Sequence, residues 1–164
     1  VTPQWVVIPP SGELVLVDGR PTRATIAARL HAANIAPIRL DDVEVRAWVD
    51  ADGIDNARPR NPHGTLVAAA IGVAGGAGHP LVGPVAFTYH HPQAAFLPLS
   101  PRAVELVQHM HKEVWSIIAT GQRGCCGSDQ WVEVVRHQME RLDQQYREYE
   151  MFYVNEGVRV RDEP

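Results

Sequence analysis

Apolar residues recur about every 3.5 positions through much of the last third of this 164-residue chain, and that spacing restricts the segment to amphipathic helix. Ala103, Val107, Met110, Val114 and Ile117 follow one another at steps of four, three, four and three. Trp131, Val135, Met139, Leu142, Tyr146, Tyr149 and Phe152 or Tyr153 repeat the pattern after a glycine-rich break. Each run opens on a serine suited to an N-cap, Ser100 or Ser128, and Pro101 follows the first of them at N1. On the outer face Arg136 with Glu140 and Asp143 with Arg147 stand at i,i+4, as on a solvated helix. The expectation is a pair of long helices. A short loop at 122–127 lets them close on each other as a helical hairpin, and the same stripes would serve against another molecule.

The first half reads differently. Trp5-Val6-Val7-Ile8 and Glu13-Leu14-Val15-Leu16-Val17 are short β-branched runs separated by Pro9-Pro10-Ser11-Gly12, which predicts a hairpin. A helix over 22–34 follows, with Thr22 as its cap and Asn34 at its end. The run 35–40 carries Pro37 and suits an edge strand. Val43 to Val49 is a further strand closed by Asp50-Ala51-Asp52-Gly53. Asn61-Pro62 starts a second short helix, and 81–89 is a last strand entered through Gly83-Pro84. The fold class expected is α+β: a small mixed or antiparallel sheet with two short helices, followed by the long pair. Pro92 and Pro98 mark a boundary, so 1–92 reads as a small domain and 93–164 as a helical extension packed on it or extending from it.

In this order of features residues 5–89 resemble a small domain of unknown function common in phage and plasmid genomes. The matching pieces are the strand–turn–strand at the start, Val49-Asp50-Ala51-Asp52-Gly53, the Asn-led helix at 61–70 and Leu81-Val82-Gly83-Pro84-Val85. Arg58-Pro59-Arg60 and the loop at 75–78 depart from the pattern. The resemblance implies a mobile-element accessory protein and brings no catalytic residues. Fourteen arginines against one lysine, with abundant Ala, Val, Pro and Gly, point to a high-GC bacterial genome.

Charge and composition exclude several classes. A net charge of −4 argues against nucleic-acid binding. No apolar run reaches the length of a membrane span, and Val1-Thr2-Pro3-Gln4-Trp5 does not open like a signal peptide. The only two cysteines, Cys125 and Cys126, are adjacent and read as free thiols of a reducing compartment, so a cytoplasmic protein is expected. No cofactor motif is present: Gly75, Gly76 and Gly78 lack the Lys-Ser/Thr or helix that a phosphate loop requires. His109, His111 and Glu113 share a helix but lack recognised ligand spacing, so no metal is expected.

Two candidate sites remain. Arg58, Arg60, Asn61 and His63 gather at a helix N-terminus, where free N–H groups attract anions, and His90 and His91 end the last strand. They form the candidate small-ligand, anion or enzymatic site. Tyr146, Tyr149, Phe152 and Tyr153 bunch at the far end of the second long helix, a composition enriched at interfaces. With no catalytic constellation in sight, the leading expectation is a non-enzymatic protein that binds a partner protein or forms a homodimer.

Overall fold

The computed structural model describes residues 2–38, 44–71 and 81–120, together with Glu140, Gln144 and Arg147, which are helical. Nine elements occur in these stretches: β1 (Gln4–Ile8), β2 (Val15–Asp18), α1 (Arg23–Leu30), β3 (Ile35–Ile38), β4 (Val45–Asp50), α2 (Pro62–Ala70), β5 (Val85–His91), β6 (Ala94–Leu97) and α3 (Pro101–Thr120). The strands form one six-stranded sheet in the order β2-β1-β5-β4-β3, with β6 paired to the far end of β5. Every pairing is antiparallel.

Alternation along the strands sorts the core into two layers. Val6, Ile8, Val45, Ala47, Val85 and Phe87 face α2 and α3 and pack with Leu66, Val67, Val107, Val114 and Ile117. Trp5, Val7, Ile35, Trp48 and Ala86 face the other way, onto Ile26 and Leu30 of α1. Local chemistry sets the helix starts. Thr22 and Thr25 form a reciprocal capping box at α1, and Ser100 Oγ accepts from Ala103 N–H at 3.1 Å. α1 stops at His31, a left-handed residue with φ 51°, rather than at Asn34.

Asn61 has the most demanding role. Its side chain is fully buried. Its Oδ1 accepts from Gly64 N–H at 2.8 Å, capping α2. Its Nδ2 donates to the carbonyls of Ile8 and Gly83, each at 2.8 Å. One side chain thus ties the end of β1, the entry to β5 and the start of α2. Gly64 allows the approach, since a Cβ there would stand 2.8 Å from Val85 Cγ2.

The expected pair of long helices is not what the structure presents. The sheet is antiparallel throughout and three helices accompany it, of which α3 alone is a long C-terminal helix; no hairpin partner for it occurs among the described residues. The apolar stripe of α3 is taken up by the sheet and α2, not by a second seam. A 3.5-residue spacing describes any amphipathic helix and does not say what covers it. The second run, from Ser128 onward with Tyr146, Tyr149, Phe152 and Tyr153, lies outside the described residues except for Glu140, Gln144 and Arg147. The hairpin β5–β6 was not expected either; Pro92 and Pro98 flank that strand rather than ending the sheet.

Asn61→Asp tests the tie. It keeps the capping oxygen but replaces a two-carbonyl donor with an acceptor. Each buried carbonyl left unpaired costs about 1–3 kcal/mol, so urea denaturation should show a loss of roughly 3 kcal/mol or more. Asn61→Ser, which keeps a cap and one donor, should lose less.

Candidate functional site

The residues of the expected anion site are drawn to different partners. Arg58 Nε donates to Asp50 Oδ2 at 3.0 Å, and Nη2 donates to the His31 carbonyl. Asp50 is 5% exposed and also accepts from Asp52 N–H at 3.0 Å. Arg58 is therefore a brace between the end of β4 and the C-terminus of α1. Arg60 sits in a single β-bridge to Val82. Two N–H groups at the start of α2 are engaged by Asn61: Gly64 by its side chain and Thr65 by its carbonyl at 3.0 Å.

His90 and His91 stand elsewhere. Arg46 Nη2 donates to His90 Nδ1 at 2.5 Å, and His91 Nδ1 accepts from Gln93 N–H at 3.1 Å in the turn before β6. Arg46 and Asp50 share the α1 face of β4 but lie at opposite ends of the strand. The rise of about 3.3 Å per residue along β5 separates His90 from Gly83 by on the order of 20 Å. His63 lies on the other face, against α3.

At that place the structure joins residues that sequence reasoning kept apart. His63 and His111 flank the indole of Trp115, with ring centroids 4.9 Å and 5.7 Å away and tilts of 41° and 44°. His111 Nε2 is 2.6 Å from the Gly12 carbonyl, which fixes a proton on that nitrogen. Gly12 has φ +89°, and a Cβ there would fall 2.6 Å from His63 Nδ1. The β1–β2 loop is thus laid directly on the imidazole of α2 and latched by the imidazole of α3. His63 Nδ1 is buried without a hydrogen-bond partner among the described residues. Burial holds the His63 pKa below the ordinary value of 6.5, and the neighbouring His111 lowers it further.

Above this cluster an open groove of about 700 Å³ runs between the loop and α3, lined by Glu13, Leu14, His111, Lys112, Trp115 and Ser116. A smaller hollow of about 460 Å³ continues it along α3 past Glu105 and Gln108. Trp115 is 42% exposed. His109 is exposed and Glu113 is buried, so the two do not join His111 in a common ligand set. Neither imidazole is hydrogen-bonded to a hydroxyl or thiol among the described residues. The groove offers an aromatic surface with both signs of charge at its rim. In the sequence His111 stands out only as one of three polar residues, with His109 and Glu113, on a single helix. Only the fold could show that Gly12, distant in sequence, brings His63 and Trp115 to it.

No family model matches the chain, and neither the curated proteins nor the solved structures contain a significant match to it.

Two outcomes follow from the cluster. The lowered His63 pKa means the unfolded chain binds more protons than the folded one below 6.5. Stability should therefore be full above that pH and fall as the medium is acidified through it, and His63→Gln should flatten the change in urea midpoint between about pH 7 and pH 5. Gly12→Ala should destabilise by about 1–3 kcal/mol through both its φ and its clash. Adding His63→Ala to Gly12→Ala should recover only the part owed to the clash, a difference that thermal unfolding of the single and double variants would read.

Proposed function

We propose that this chain is a non-enzymatic accessory protein that acts by contact with another polypeptide, through the groove between the β1–β2 loop and α3. The observation that carries this reading is Trp115, 42% exposed in a groove whose walls are held by the His63–His111–Gly12 packing. A large aromatic on a preorganised support is the kind of residue that dominates interface energetics, because its burial needs little further ordering. The mixed rim of Glu13 and Lys112 suits a protein surface rather than a polyanion. Arg58, bound to Asp50, and His90, bound to Arg46, have different partners, which favours the contact reading over a single anion site built from both.

Further support comes from the sequence. The resemblance of residues 5–89 to a phage and plasmid domain, and the preference for arginine over lysine, favour a mobile element of a high-GC bacterium. The adjacent cysteines favour the reducing cytoplasm. No helix among the described residues is long and apolar enough to cross a membrane.

A photo-crosslinking amino acid at position 115, compared with one at the exposed Ala28 of α1, tests the contact in cells. The reading requires a defined polypeptide adduct at 115 that is absent at 28. Equal labelling at both positions, or none at 115, would overturn it.

A further inference from the structure

We infer that the polypeptide received beside this groove is a second copy of the same chain, paired antiparallel to β2 through its open edge; the inference rests on the contact reading above. The two outer strands of the sheet are treated differently. β3 carries Pro37 in its interior, which has no N–H to offer and blunts that edge. β2, Val15-Leu16-Val17-Asp18, has no proline, no lysine and no bulge, and no strand pairs with its outer side among the described residues. Leu16 is an apolar residue of this edge and is 39% exposed.

The hydrogen-bond phase of β2 can be read from its end. Gly19 N–H donates to the Pro3 carbonyl at 2.7 Å, and the β1–β2 register opposes Trp5 to Val17 and Val7 to Val15. In an antiparallel ladder bonded pairs alternate with unbonded ones, so Val15 and Val17 turn their backbone groups toward β1. Leu16, opposite Val6, and Asp18, opposite Gln4, turn theirs outward. A two-fold axis perpendicular to the sheet through Leu16 would set Leu16 against its own copy as a bonded pair. Asp18 would then stand against Leu14 and Val15 against Val17. Outward-facing groups meet outward-facing groups, apolar side chains meet on both faces, and no like charges are opposed. The Asp18 carboxylate is already held by Gln4 Nε2 at 2.8 Å.

A short edge alone buries less than the roughly 800 Å² per partner typical of a stable interface. The groove lies beside that edge and adds to the contact. The Gln4–Leu99 bridge places the start of α3 by the start of β1, and His111 reaches Gly12 beyond the end of β1, so α3 runs along β1 in its direction. The same two-fold sets both α3 helices antiparallel on one side of the seam. Their facing flanks carry Trp115 with both signs of charge, Glu105 and Lys112.

The test uses the full chain with Cys125→Ser and Cys126→Ser, adding Leu16→Cys. Opposed residues of a bonded pair have Cα atoms about 5.5 Å apart, within reach of a disulfide. Mild oxidation should give a covalent dimer, and Leu106→Cys, at an equally exposed site on the other flank of α3 (40%), should not. Light scattering on the unaltered chain should show a dimer that Leu16→Lys weakens at least about tenfold, because it places two like charges at the axis. A monomeric chain, or cross-linking at 106 equal to that at 16, would overturn the inference. If a foreign polypeptide were still captured at position 115, the contact reading would stand without it. If nothing were captured there either, both would fall.

Discussion

The carboxamide of Asn61 is the junction on which the two halves of the sheet and α2 depend. A buried polar side chain is costly unless every hydrogen-bonding group is met. Asn61 meets this requirement by joining three segments at the place where β1 and β5 already pair: the last carbonyl of β1, the carbonyl of Gly83 before β5, and the Gly64 amide in the first turn of α2. Remove the donors and two buried carbonyls lose their partners; remove the acceptor and α2 loses its cap. The close approach at Gly64 and the exchange between the 59–61 and 81–83 segments (Asn61 N–H to Leu81 and Gly83 N–H to Pro59) follow from this placement.

A second buried polar group does comparable work across the sheet. Asp50 gathers Arg58, Asp52 and Asn56 at the end of β4, and Arg58 carries the connection to the carbonyl of His31. An arginine spent in this way cannot also hold a ligand without leaving a buried carboxylate behind. The arrangement gives Arg58 a structural role beside the start of α2. The more exposed cluster of His63, His111 and Trp115 is different in kind, since its rings are packed together but one imidazole nitrogen has no hydrogen-bond partner among the described residues.

Much of the fold was legible where the signal is local. Turn residues at Pro9-Pro10-Ser11-Gly12 gave the first hairpin, and Thr22, Asn61 and Ser100 mark their helix starts because capping is decided within four residues. Pro37 marks an edge strand for the same local reason. What failed depended on contacts distant in sequence. The stripe of α3 read as half of a helical pair, because periodicity reports which face is apolar and not its cover. Arg58 and His90 read as neighbours, because a strand's length was not set against a hydrogen bond's. The groove went unseen, because Gly12 and His111 meet only once β1 and α3 run side by side.

The proline in β3 has an effect beyond its own strand. A sheet with two pairing edges can accept a neighbour on each side, and every addition exposes a fresh edge, so growth has no natural end. Among the described residues, Pro37 leaves this sheet with one side on which to grow. A second copy joined there would use up the remaining edge, so that assembly would stop at a closed pair instead of running on into a filament.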